Sequence, residues 1–219
     1  VQPLTHERLV QEAIERADSA WAREQRPALL QGSADEDVHI VPLLRWRLQS
    51  WGLSHTYRPG RSRGELLAPS ALERSRRLLA RALAHDSAHD LGRIAHLLVD
   101  AAVPARTRGV WHIFGDPLES WAEEHVSELA ALGVAPIPEA SSLDEIFQGL
   151  AALSSRYPAD GTKTPWGILL HQVSARPVVT TDEAAAQAKI LVPAAVSHVA
   201  ALLRLFGRLR APAPNGAQP

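Results

Sequence analysis

The sequence predicts an all-α protein, and three observations carry that expectation. Apolar residues recur at helical spacing over most of the chain. At several points where such a run begins, Ser, Thr or Asp stands three residues before Glu or Asp, the pattern of a helix start. No stretch alternates convincingly with period two, although Pro177–Thr181 could form a short extended piece.

The elements follow in order. Leu9, Val10, Ala13, Ile14, Ala17 and Trp21 set a first amphipathic helix from Thr5 to about Arg23. Residues 24–40 lose that period and contain Gly32-Ser-Ala-Asp-Glu-Asp37, which reads as a loop. A short helix is expected over Pro42–Gly52, and residues 53–70, rich in Gly, Pro, Ser and Arg, read as a long ordered loop. Ser70–Glu73 is a capping box whose helix should end near His85-Asp86-Ser87. Ser87–Asp90 is a fresh start, and its helix should run from about Ala88 to Ala102, stopping before Pro104. Asp116-Pro117 opens a helix to about Leu132, with Asp as N-cap and Pro at the first position. Ser142–Glu145 opens one to about Ser155. Thr180–Glu183 opens the longest, to about Arg210, with a kink expected at Pro193. Residues 211–219 lack a packing face and read as a disordered tail, leaving one all-helical domain over residues 1–210.

Composition narrows the function. The 219 residues hold 23 basic and 24 acidic side chains, so no global field argues for nucleic acid or an anionic membrane. No apolar run reaches the roughly 18 residues of a membrane span. The absence of cysteine removes disulfides, thiolate zinc sites and cysteine nucleophiles together. A metal would have to bind through His, Asp, Glu or backbone, and ten histidines are available.

The stretch from Ala95 to Asp116 is the most suggestive. His96 precedes Asp100 by four residues, Pro104 follows, and His112 precedes Asp116 by four. On a helix, residues four apart share a face. Imidazole nitrogen and carboxylate oxygen bind zinc at about 2.0–2.2 Å, so a His-x3-Asp pair is a workable half-site. The plain reading of such a pair is a helix ion pair or a core histidine bonded to a carboxylate.

Five local patterns, taken in order, resemble the bacterial zinc-dependent phospholipase C family, whose fold is shared with single-strand-specific nucleases. They are Leu4-Thr-His6 opening the first helix; Gly32 five residues before Asp37; His55-Thr-Tyr-Arg58-Pro; Gly92, His96, Asp100 and Pro104 at the family's spacings; and His112-Ile-Phe-Gly-Asp116 leading into Pro117-Leu-Glu-Ser-Trp121. The closing segment that ends in Leu205-Phe-Gly207 extends the likeness over about Leu4 to Gly207.

The resemblance implies a cluster of zinc ions. Asp37, His55, His96 and Asp100 match the ligands of one ion, and Asp37 is also a candidate general base. Asp100 would bridge to a second ion, also held by His6 and by the amine and carbonyl of an N-terminal Trp. Only five residues precede His6 and none is Trp, so the native chain is expected to extend upstream and the His6 ion to be weak or absent. His112 and Asp116 match two ligands of a third ion, with Glu119 as the substitute if Asp116 only caps its helix. The family's remaining ligand is a histidine where this chain has Arg106.

A guanidinium has five donors and no lone pair, so Arg106 cannot ligate a cation. Two zinc ions at most are therefore expected. Arg106 either pairs with Asp116 or Glu119, or holds a substrate phosphate; Arg58 is a second candidate for phosphate. Each remaining residue keeps a structural reading: a surface histidine for His6, a solvated acidic loop for Asp37, a turn cap for His55, and a helix N-cap for Asp116.

The expected activity is hydrolysis of a phosphodiester by metal-bound hydroxide attacking phosphorus, on a phospholipid or another phosphodiester. A secreted or periplasmic location goes with the family. A nuclease of the same fold is the second enzyme reading, although the Gly-Gly-Asn run and Trp-Asp pair of that branch are missing. The non-enzyme reading is a degenerate member with an incomplete metal set.

Overall fold

The computed structural model describes residues 3–36, 38–41, 46–49, 55–57, 70–108, 116–159 and 179–211. The fold is an all-helical bundle. Its helices are α1 (Pro3–Arg16), α2 (Ala20–Glu24), α3 (Arg26–Asp35), α4 (Ala71–His85), α5 (Ala88–Ala101), α6 (Pro104–Arg108), α7 (Pro117–Glu124), α8 (Leu143–Ser154) and α9 (Thr181–Arg210). A 3-10 turn covers Leu129–Leu132. One small hairpin, β1 (Val38–Val41) and β2 (Trp46–Gln49), pairs antiparallel with Val38 opposite Gln49 and Val41 opposite Trp46.

The helix starts sit where the caps were read. The hydroxyls of Ser70, Ser87 and Ser142 each accept the backbone N–H three residues on. Thr180 and Glu183 form a reciprocal capping box at the start of α9. Four expectations need correction. The first helix stops at Arg16, because Asp18 takes a left-handed turn (φ 51°) and Ser19 caps a separate α2. The segment read as a loop over residues 24–40 contains α3 and β1 instead. The helix expected over Pro42–Gly52 is replaced, at 46–49, by strand β2. The helix after Asp116 also ends early, at Glu124, and passes through turns into the 3-10 segment. The C-terminal tail from residue 212 onward lies outside the described residues.

Helix α5 runs through the centre, with every residue buried except His89 and Arg93. It packs on α3, α4, α8, α9 and α1. Leu91, Ile94, Leu97 and Leu98 are fully enclosed and meet Leu29, Ile146, Leu150, Leu191 and Leu202 in one core cluster. Burying each such side chain contributes about 1.5–3 kcal/mol. Helix α9 has an apolar 18-residue window that would suit a membrane by length and composition, yet 78% of the window is buried inside the protein, as in a core helix. It remains one continuous helix through Pro193, and the Pro193 carbonyl accepts the Ser197 hydroxyl at 2.8 Å. Arg204 of α9 donates to the Ala17 carbonyl at 3.1 Å, satisfying an acceptor at the end of α1.

Two glycines set how closely α3 and α5 cross. A Cβ at Gly92 would lie 2.0 Å from the Leu29 carbonyl oxygen, and one at Gly32 would lie 2.0 Å from that of His89. Both obstructions are backbone atoms in helices, which cannot swing away. Gly92→Ala should therefore cost on the order of 3 kcal/mol. Chemical denaturation checks this, and an unchanged midpoint would contradict the close crossing.

Candidate metal centre

The site is built where α1, α5, α6 and the segment 55–57 converge. His6 lies on the first turn of α1; His96 and Asp100 share one face of α5. Segment 55–57 is pinned from both sides. Tyr57 donates its N–H to the Arg106 carbonyl of α6 at 3.1 Å, and Ala71 at the start of α4 donates to the Thr56 carbonyl at 3.1 Å. His6, His55, His96 and Asp100 are all buried.

Asp100 is the common partner. His6 Nε2 lies 3.3 Å from its Oδ1. His55 Nδ1 lies 2.5 Å from its Oδ2, and His96 Nε2 is 3.6 Å from the same oxygen. The His6 and His96 rings stack in parallel, 3.8 Å apart at 5°. The ligand atoms of His6, His96 and Asp100 all lie within 4.8 Å of one another, a group able to share one ion.

Protonation and tautomer suit that use. The Ser33 carbonyl can only accept, so His96 Nδ1–H donates to it at 2.9 Å. That leaves Nε2 as the lone-pair nitrogen of the neutral ring, on the side of Asp100. Metal-bound histidines characteristically donate their other N–H in this way. Burial, then the neighbouring His96, push the His6 pKa down to about 4, so its ring is neutral at neutral pH. His6 Nδ1 is buried with no hydrogen-bond partner among the described residues. Burial opposes the charge on Asp100, but the Arg106 guanidinium, His96 and His55 outweigh it and hold the carboxyl well below the usual carboxylate range. Two imidazoles, that of His6 held neutral by burial, and an ionised carboxylate are the ligand types of zinc. The residues present fit the metal.

The other expected site residues fall as follows. His6 is an interior residue, contrary to its surface reading. His55 reaches the cluster through Asp100. Asp37, Arg58 and His112 lie outside the described residues. Asp116 is the N-cap of α7: its Oδ1 accepts the Leu118 N–H at 2.8 Å. Arg106 Nη2 lies 3.5 Å from Glu119 Oε1, with both side chains largely buried. Leu9, Val99, Val103 and Leu118 line a small cavity with Glu119, so that carboxylate has apolar neighbours and a nearby cation.

One residue escaped the sequence reading. Glu36, next to Asp37, is fully buried. Arg74 pairs with its Oε1, Arg93 Nε donates to its Oε2 at 2.7 Å, and His55 Nε2 lies 3.9 Å from Oε1. The sequence offers only the run Asp35-Glu-Asp37, in which every acid has the same local claim.

The fold has a counterpart among solved structures. The structure of Clostridium perfringens alpha-toxin from avian strain SWCP superposes with a TM-score of 0.63 at 14% identity. The likeness covers 97% of this chain and 65% of the toxin chain, so the protein spans about two thirds of that neighbour's length. At this identity the likeness is one of fold. No protein-family model matches the chain, and no curated protein matches it.

Asp116 carries a testable electrostatic signature. Burial, then Glu119, push its pKa up to about 7 from 3.8, against its helix-capping bonds and Arg106. A raised folded-state pKa favours the native state while the group is protonated. The contribution is therefore full below about pH 4 and is lost as the pH rises toward 7. Asp116→Asn keeps a capping oxygen and removes the charge. It should stabilise the metal-free protein above pH 7 by on the order of 3 kcal/mol, with little gain near pH 4. Denaturant titrations at the two pH values check this; equal effects at both would contradict it.

Proposed function

We propose that the protein is a zinc-dependent phosphodiester hydrolase of phospholipase C type. The observation that carries this reading is the buried trio of His6, His96 and Asp100, with its ligand atoms within 4.8 Å of one another. The helical fold it shares with a bacterial alpha-toxin adds support. The five motif patterns supply the substrate class: a phospholipid or another phosphodiester.

In this reading the trio holds one zinc ion. Asp100 and His55, together with Asp37, would hold a second ion, and Asp37 is the proposed general base. When bound, the ions supply positive charge to a phosphodiester and make a nearby water more acidic. The chain's own residues do the rest. His96 is held in one tautomer by the Ser33 carbonyl, so its ligating nitrogen needs no reorientation. His6 is neutral, and its one ring proton would sit on Nδ1 when Nε2 ligates.

Arg106 fills the third position with a fixed charge. Its guanidinium stands beside Glu119 and acts on Asp100, so two carboxylates that would otherwise repel each other share one cation. Asp116 is committed to capping α7. We assign no third zinc to His112 and Asp116. The edge of Arg106 that faces away from Glu119, and Arg58, are the proposed contacts for a substrate phosphate. A secreted or periplasmic location is part of the same proposal.

The test is direct. Protein purified without added metal should carry zinc by mass spectrometry. A chelator should lower its melting temperature by about 5 °C or more, because metal bound only by the folded state adds to stability. His96→Ala should lose that zinc, the chelator effect and phospholipid hydrolysis together. Equal melting temperatures with and without chelator would sink the reading. Cleavage of single-stranded DNA into shorter phosphate-ended fragments, with phospholipid untouched, would move it to the nuclease class.

A further inference from the structure

Arg106 is carried by α6, a helix of 5 residues. So short a helix is marginal unaided, and contacts from outside decide where its guanidinium stands. Tyr57 N–H donates to the Arg106 carbonyl at 3.1 Å. Arg108 Nη1 donates to the Tyr157 carbonyl at 3.1 Å, at the protein surface. A third contact comes from inside the bundle: the Thr107 hydroxyl meets the Ser154 hydroxyl of α8 at 3.1 Å. Ser154 is fully buried, and its oxygen also lies 2.8 Å from the Ala101 carbonyl. Thr107 Oγ1 lies 3.1 Å from the Pro104 carbonyl. Carbonyls only accept, so the two hydroxyl protons are shared among these carbonyls and the bond between the hydroxyls.

One side chain on α8 therefore touches the residue after Asp100 on α5 and the residue after Arg106 on α6. A serine serving only its own helix would bond back to it, as Ser155 does to the Ala152 carbonyl at 3.2 Å. The Ser154 contact of that kind, to the Ala151 carbonyl at 3.3 Å, is longer than its bond to Ala101. We propose that Ser154 is a positioning residue. Through Thr107 and the Ala101 carbonyl it fixes α6 against the end of α5, and so sets the Arg106 guanidinium in its place beside Glu119, 3.5 Å from Oε1. Its outward edge is thereby held ready for a phosphate oxygen pair. The use of that edge rests on the function proposed above; the placement of the guanidinium does not.

Ser154→Ala and Thr107→Val each delete one hydroxyl at nearly constant volume, and Thr107→Ser keeps it. Ser155→Ala is the control on α8, since its hydroxyl is exposed. The guanidinium is read first, in metal-free protein, by NMR hydrogen exchange of the Arg106 Nε–H. Ser154→Ala and Thr107→Val should each speed that exchange about fivefold, the loss of one hydrogen bond. The double variant should do little more than either alone. Thr107→Ser and Ser155→Ala should keep the wild-type rate. A merely structural serine would loosen the whole bundle, so Arg204 Nε–H, bonded to the Ala17 carbonyl, is the internal reference. Equal acceleration at Arg204, or none at Arg106, overturns the proposal even for a protein without activity. Phosphate contact is read second, on a short-chain phospholipid kept below its micellar concentration. Ser154→Ala should raise KM about fivefold with kcat and zinc content unchanged, and should raise it no further in an Arg106→Ala background. A fall in kcat alone, or the same rise in both backgrounds, overturns the proposal. A wild type that hydrolyses no phosphodiester refutes the proposed function instead, and the exchange rates then decide. If Ser154→Ala does not fold, Thr107→Val answers the same questions.

Discussion

A carboxylate with no exposed surface, at Asp100, is the constraint around which the site is arranged. Such a group stays charged in a protein interior only if other groups replace the water it has lost. Here the replacement comes from three histidines and one arginine, delivered by α1, α5, α6 and the segment 55–57. None of the three imidazoles would have reason to be buried beside its neighbours without that charge. The parallel stack of His6 on His96 is the clearest case, since two rings 3.8 Å apart repel if both are protonated. Burial keeps the His6 imidazole neutral beside that anion, the form in which it can ligate a divalent cation.

The rest of the bundle serves to hold Asp100 and His96 in place. The glycine crossing lets α3 approach α5 closely enough for the Ser33 carbonyl to reach His96. The Ser154 hydroxyl of α8 donates to the Ala101 carbonyl at 2.8 Å, finishing α5 one residue after Asp100. Beyond α5 the charge balance continues through Arg106, which sits between Asp100 and Glu119. Arginine at that position supplies a permanent cation, where a histidine would be charged only when protonated.

The helix framework was legible because its signals are local. Ser70, Ser87, Asp116, Ser142 and Thr180 each cap a helix through an N–H only two or three residues away. Helix α3 was not legible, because its packing face is Leu29, Gly32 and Ser33, and small residues leave no apolar period to read. Its burial is decided by how near α5 comes, which depends on Gly92, sixty residues away. The hairpin was missed because four-residue strands give too few positions for alternation. At the site, the His96–Asp100 face was visible from spacing alone, since α5 supplies both. The roles of His6 and Glu36 depend on which helices meet, and neither neighbouring residues nor spacing encode that. Arg106 stood out as an oddity by resemblance; its pairing with Glu119 rather than Asp116 follows from α7 consuming Asp116 as its cap.

Diffraction from crystals of zinc-loaded protein, recorded on both sides of the zinc absorption edge, tests the central claim most directly. The account predicts an anomalous peak about 2.0–2.2 Å from His6 Nε2, His96 Nε2 and an oxygen of Asp100. Zinc confined to surface histidines, with those three side chains still bonded to one another, would contradict it.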